Sequence, residues 1–381
     1  MLRLAFWVTL ILSCSVSFFF LANRNLWDDE LWSFCMICGS YSHIWDNANR
    51  RDVHPAGMYM LLKFFYELTG SERWATLGPI AALYTGLIYF CHKGIGSLSR
   101  NPAAYVVFLA VCLLNGHVLL WGSSLRWYPY WTGLGLLVLC IALQVGKPIA
   151  SLDIPKLLVC VVVCVLLAVM FYICYASILF VPAFSAAWVA RYSLNANSLR
   201  KLIAIIAGCL FLSLPQSYYF AAYHLVNASH QVAPIKLVMV RLFFSVLSGD
   251  ALLPWHPISL MCCVIFGILL IVVFKQVIGN VRRQGLGHFE AAEDWQSLAV
   301  FWGVFLVLAV ITGLGFRGRG FMILNPILGL LLAHGIQILD KPKFNVLALA
   351  ITALWVSFST TNLVLRQGLT KSQRKSSVNR V

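Results

Sequence analysis

The residues best suited to chemistry stand at Leu26-Trp27-Asp28-Asp29-Glu30-Leu31-Trp32-Ser33, the first strongly polar stretch after a hydrophobic N-terminal segment. Asp28, Asp29 and Glu30 are consecutive carboxylates between two tryptophans, whose rings, apolar in body and polar at one edge, suit a lipid–water boundary. Carboxylates at that depth cost free energy unless hydrated or partnered, which marks the cluster as a candidate site. The order also suits a helix N-terminus, with Asp28 as cap and Asp29 and Glu30 favoured by the helix dipole; this local description is compatible with catalysis. Further candidates are cations and an imidazole: His54, Arg73, Arg126 alone among aromatics, and the arginines of Gly315-Phe316-Arg317-Gly318-Arg319-Gly320-Phe321. Glycines around Arg317 and Arg319 let the backbone approach an anion, and guanidinium forks match phosphate oxygens. The alternative for that pair is snorkelling to lipid headgroups.

A carboxylate base near arginines, at the depth of lipid phosphates, suits displacement of a phosphate carried by a membrane-embedded lipid. The base removes the proton of an attacking hydroxyl or amine, and the arginines stabilise charge on the departing phosphate. Direct displacement inverts the reacting carbon. No glycine-rich nucleotide-binding pattern follows a strand, so a soluble nucleotide donor is disfavoured. The reading requires no cofactor, and a divalent metal is compatible with the carboxylates. A transporter or flippase for an anionic lipid or solute would use the same arginines without chemistry, but would place charges near mid-span, where the apolar segments are nearly free of them.

The elements that must position these groups are transmembrane helices. Of 381 residues, 61% are hydrophobic and 11% charged, with mean hydropathy +0.84, too little polar surface for a soluble fold of this size. The net charge of +15 is dispersed over short connections, as the positive-inside tendency predicts, with no basic stripe for nucleic acid. The 12 cysteines lie mostly in apolar runs, where a thiol acts as a small hydrophobe. Cys35 and Cys38 form a close pair, read as packed thiols on one helical face, with a redox pair or half a metal site as alternatives.

In chain order, Leu4–Ala22 predicts an uncleaved first span, and residues 23–72 a long exoplasmic loop. Within that loop His54–Thr69, with Lys63 and Glu67 at i, i+4, predicts an amphipathic helix on the membrane surface. Spans follow at Trp74–Cys91, Pro102–Trp121 and Thr132–Val145. Leu157–Tyr192 divides into two at a turn near 172–177, and Leu202–Tyr218 spans again. A second long exoplasmic segment covers 219–257, with an interfacial helix expected at Leu237–Leu247 and an accidental glycosylation pattern at Asn227-Ala228-Ser229. Spans at Ile258–Phe274, Leu298–Leu314, Met322–Leu339 and Val346–Leu365 complete about eleven in a single transmembrane domain, residues 1–365, followed by a basic tail, 366–381. The expected class is an all-α polytopic protein of the inner (plasma) membrane, N-terminus inside, with the candidate residues on the exoplasmic (periplasmic) side. An odd span count puts the basic tail outside, against the positive-inside tendency, and a span miscounted near the C-terminus would return it to the inside.

Trp27-Asp28-Asp29-Glu30-Leu31-Trp32-Ser33, then Asp52-Val53-His54-Pro55-Ala56-Gly57-Met58-Tyr59, then Gly70-Ser71-Glu72-Arg73, then Ser124-Leu125-Arg126-Trp127-Tyr128 resemble, in this order, the GT-C membrane glycosyltransferases. The nearest branch is the bacterial set related to protein O-mannosyltransferases and to the aminoarabinose and galacturonic acid transferases of lipopolysaccharide. The resemblance covers the first two fifths of the chain. It implies a GT-C-like helical bundle with juxtamembrane helices in the first exoplasmic loop, a polyprenyl-phosphate-linked sugar donor, and roles in cell envelope glycan synthesis. The family's Asp-Glu pair maps onto Asp29, as general base, and Glu30, with Asp28 extra. Arg126, Arg317 and Arg319 become donor-phosphate ligands, with His54 and Arg73 as lesser contacts. The His-Pro-Pro motif of one branch appears here as His54-Pro55-Ala56, and another branch carries lysine at the histidine. The short tail, where relatives often carry a soluble domain, favours a lipid-linked or glycan acceptor.

Overall fold

The computed structural model describes residues 1–23, 28–52, 54–143, 156–192, 195–224, 234, 240, 244–248, 256–284, 292–312, 322–339 and 341–378, with backbone alone at 28, 156, 224, 280–284, 292–295 and 366–378. All regular structure among them is helical. The first span is α1 (Leu2–Asn23). The loop after it folds into three short helices, α2 (Asp28–Ile37), α3 (Tyr41–Arg51) and α4 (Ala56–Thr69), and a 3₁₀ turn (Trp74–Thr76) leads into α5 (Leu77–Leu98). Next come α6 (Pro102–Leu113), α7 (Gly116–Trp121), α8 (Trp127–Ala142), α9 (Lys156–Ile173) and α10 (Ser177–Tyr192). The chain continues through α11 (Ala196–Leu212), α12 (Leu214–Tyr219) with a π turn (Phe220–His224), α13 (Pro257–Gln284), α14 (Ala292–Thr312), α15 (Leu324–Leu339) and α16 (Pro342–Val378).

Five of these segments are long and apolar enough to cross a membrane: Leu2–Asn23, Trp74–Leu98, Pro102–Trp121, Pro257–Gly279 and Pro342–Leu365. The pair Ala196–Leu212 and Leu214–Tyr223 would be a sixth, bent by 68°, and α8, α9, α10, α14 and α15 supply shorter apolar helices. About eleven crossings therefore require the bent pair and all five shorter helices to span.

Several boundaries differ from the sequence expectation. The helix expected to end at Cys91 runs on to Leu98, because Lys93 is buried with its ammonium 5.5 Å from the centroid of the Tyr89 ring instead of marking a solvated connection. Residues 275–284, expected as loop, extend α13, and α16 carries the tail through Val378 as helix. The continuous span expected at Leu202–Tyr218 instead bends at Ser213 and Pro215, where proline removes a backbone donor. The turn between α9 and α10 falls where expected. Most of 219–257, including Asn227 and most of the interfacial helix expected there, lies outside the described residues.

Close packing of α5 on α8 fixes the frame. Gly86 and Gly133 face one another so tightly that a Cβ on Gly86 would strike the Gly133 carbonyl and one on Gly133 the Ala82 carbonyl. Without a hydrophobic drive between helices in lipid, small residues that admit backbone approach supply the contact. In the same frame Ser13 and Ser17 of α1 pair with the Tyr84 hydroxyl at 2.8 and 2.9 Å, and Trp131 Nε1 donates to Ser177 Oγ at 2.8 Å, tying α8 to α10.

The helix expected on the membrane surface is α4. Its Lys63 and Glu67 form an ion pair at 3.0 Å, and Tyr41 donates to Glu67 at 2.9 Å. These two donors hold the Glu67 pKa below its ordinary value. Gly70 closes the helix in the left-handed region at φ 66°, a conformation open to glycine at no steric cost. Met58, Tyr59 and Leu62 turn inward, while Phe64 and Leu68 are exposed, the two-faced pattern an interfacial helix requires. Cys35 and Cys38 are exposed free thiols at the end of α2, not packed ones.

Candidate active site

Asp29 and Glu30 occupy the first turn of α2. Successive helical residues point about 100° apart, and here the two carboxylates are separated accordingly. Asp29 is half-buried, whereas Glu30 is 1% exposed and its Oε1 accepts the Leu125 N–H at 2.7 Å. Glu30 therefore fixes the α7–α8 junction, 95 residues away. Arg126 is the N-cap residue of α8, with extended backbone (φ −141°, ψ 176°). From there Nη1 donates to the Asp29 carbonyl at 3.0 Å and to Ser33 Oγ at 2.9 Å, and Nη2 lies 2.8 Å from His54 Nε2. Guanidinium has donors only, so His54 Nε2 accepts, and the neutral imidazole carries its proton on Nδ1.

Arg126 is 7% exposed. Burial is the largest influence on it and works against the charge, but Tyr128, Tyr59 and Asp29 together outweigh it and raise its pKa above the ordinary value. The guanidinium is thus a permanent cation in a low-dielectric setting, where its field is strong. Its Nε–H, and the neighbouring Trp127 Nε1–H, are buried without a hydrogen-bond acceptor among the described residues. Two donors at successive positions are therefore unspent.

Asp52, at the C-terminus of α3, forms the other side of the cluster. Its Oδ2 accepts Trp32 Nε1 at 2.6 Å and the Tyr59 hydroxyl at 2.7 Å, and its Oδ1 accepts the His54 N–H at 3.0 Å. Burial first, then the Asp52 carboxylate, push the Tyr59 pKa well above its ordinary value despite Arg126 nearby, so Tyr59 stays a donor. Behind it, Asn49 Oδ1 accepts the Ala56 N–H at 3.2 Å and Gln216 Nε2 at 2.9 Å, joining α3, α4 and α12.

Of the residues singled out in the sequence, Asp29, Glu30, His54 and Arg126 come together. Arg73 is exposed at the turn before α5 and enters none of the hydrogen bonds above. Asp28 opens α2, but its side chain, with Arg317 and Arg319, lies outside the described residues. Ser33, Asp52 and Tyr59 had no assigned role in the sequence; the signal available was the run Asp52-Val53-His54-Pro55, in which Pro55 forces the residue before it away from helical backbone. Among the described residues, no three His, Cys, Asp or Glu side chains gather as metal ligands, and Glu30 is already engaged by Leu125.

No protein-family model and no curated protein matches the chain. Among solved structures, the crystal structure of ArnT from Cupriavidus metallidurans bound to undecaprenyl phosphate is similar over 87% of this chain, with a TM-score of 0.54 and 15% identity. The chain covers 59% of that structure's length. The fold is accordingly similar to that of this ArnT structure, and the apolar helices make it an all-α polytopic arrangement.

Proposed function

We propose that the chain is a membrane glycosyltransferase that moves a monosaccharide from a polyprenyl-phosphate donor to an acceptor of lipid-linked or glycan type at the exoplasmic face of the inner (plasma) membrane. The observation that carries this reading is the convergence of Asp29 and Arg126, 97 residues apart, on a fold whose solved counterpart is bound to undecaprenyl phosphate. The donor's phosphate oxygens meet the cation and unspent donors of Arg126 and Trp127. An acceptor hydroxyl attacks the anomeric carbon, the bond from that carbon to the phosphate oxygen breaks, and Asp29 takes the hydroxyl proton. The pair of electrons leaves with the polyprenyl phosphate, whose charge Arg126 stabilises, and the anomeric centre inverts. His54 supports the arginine, and Glu30 holds the backbone that presents it. Arg317 and Arg319 are proposed as further phosphate ligands. The exposed apolar face of α4 favours an acceptor held at the membrane surface.

The test is reconstitution in vesicles with a panel of undecaprenyl-phosphate hexoses and pentoses and lipid-linked acceptors. Transfer by the parent, abolished in Asp29→Asn, is expected. Passage of the donor across the vesicle membrane without transfer would replace this reading with a flippase.

A further inference from the structure

The geometry points to Asp52 as a positioning residue that sets His54, and through it the phosphate-binding face of Arg126; the binding part of this inference rests on the function proposed above. Three donors from three places converge on the Asp52 carboxylate: Trp32 from α2, Tyr59 from α4, and the His54 amide between α3 and α4. Asp52 is 8% exposed. With both oxygens engaged it is a brace, not a base. Its own N–H is held by the Ala48 carbonyl at 3.2 Å as the C-cap of α3, so its position follows the helix. On the far side, Pro55 is the N-cap of α4 with φ −64° and ψ 153°, which removes helical backbone at His54. Between these fixed points the bond from the His54 N–H to Asp52 Oδ1 anchors the residue whose Nε2 meets Arg126 Nη2 at 2.8 Å.

The chemistry of the donors makes Asp52 irreplaceable by its amide. Trp32 Nε1 and the His54 amide can only donate. An asparagine offers one accepting oxygen and one donating nitrogen. Whichever way it lies, an N–H faces an N–H, either at Trp32 or at His54.

The experiment is a double-mutant cycle on the full-length protein in vesicles, reading the affinity for undecaprenyl phosphate. Asp52→Asn is expected to weaken binding about tenfold, as loss of one net hydrogen bond to a charged group predicts. In a His54→Ala background the same substitution is expected to change binding by less than about twofold, because coupled residues do not add. A full tenfold loss in that background, or parent-like binding by Asp52→Asn alone, overturns the inference. Nitrogen NMR of histidine-labelled protein reads the same claim without ligand. The resonance missing in His54→Ala identifies His54, which is expected to show an unprotonated Nε2 in the parent and to lose that signature in Asp52→Asn. An unchanged signature overturns the inference. If Asp52→Asn does not fold, Trp32→Phe removes one donor from Oδ2 and carries both readouts. Should the parent not bind undecaprenyl phosphate at all, the proposed function fails, and the NMR readout still decides Asp52.

Discussion

Arg126→Lys is the substitution that separates a phosphate-binding guanidinium from a structural one. Three short contacts emanate from two nitrogens of Arg126, and a third, Nε, is spare among the described residues. Lysine keeps the charge but offers a single nitrogen on a stem without the planar fork, so it reproduces neither the paired α2 contacts nor the fork on the phosphate. Losing one charge-stabilising donor aimed at the leaving group costs about 3–4 kcal/mol in the transition state. At about 1.36 kcal/mol per tenfold, that lowers kcat/KM by roughly two to three orders of magnitude. Lost bonds to Ser33 and the Asp29 carbonyl would in addition destabilise the fold by roughly 1.5–3 kcal/mol each. The assay is initial-rate transfer from an undecaprenyl-phosphate sugar in vesicles, normalised to the folded fraction from thermal unfolding in detergent. A lysine variant that melts earlier yet transfers within tenfold of the parent per folded molecule would refute the assignment of Arg126 to the donor phosphate.

Asp29→Asn should abolish transfer, by roughly two to four orders of magnitude for a lost general base, while undecaprenyl phosphate still binds; loss of binding as well would put Asp29 in the phosphate site. Glu30→Gln keeps an oxygen for the Leu125 N–H and should retain most activity, whereas Glu30→Ala strands that buried donor at a cost of about 1–3 kcal/mol, visible as a lower melting temperature; equal effects would argue against the backbone role. Gly133→Ala should destabilise by about 1–3 kcal/mol through overpacking against the Ala82 carbonyl. Gly267→Ala, where a Cβ meets nothing within 4 Å, should be neutral or better, since alanine favours helix by about 1 kcal/mol; thermal unfolding of both variants compares them.

The sequence made the helical class and the first-loop cluster of polar residues legible because both are written locally. Apolar runs identify spans, and a carboxylate cluster between tryptophans stands out against them. The tight turn at Cys174–Ala176 was readable from length alone, since Leu157–Tyr192 is too long for one crossing. What stayed hidden depends on partners remote in the chain. Asp29 and Glu30 look alike in sequence; only the approach of Leu125 makes one a backbone clamp and leaves the other half-buried. Lys93 reads as the start of a polar connection until Tyr89 and the surrounding helices bury it. Asp52 reads as one more charge in a polar loop until Trp32, twenty residues back, donates to it.

The position of Arg126 explains why one residue can organise so much. As N-cap of α8 it makes no side-chain cap bond, so the first-turn amides of a 16-residue helix lack the usual side-chain acceptor there. Their partial positive charge and the guanidinium lie at the same end of α8, and the sum favours an anion more than either alone. Holding that end still is the work of the remote contacts: the glycine seam lays α8 flush on α5, Trp131 ties it to α10, and Glu30 clamps the residue before Arg126. A preorganised cation needs no reorganisation when a leaving phosphate gathers charge, and this is the largest advantage a protein can offer such a step. The same rigidity fixes the distance from Arg126 to the α2 turn bearing Asp29, so in the proposed mechanism leaving-group stabilisation and proton removal would share one frame instead of two independently moving loops.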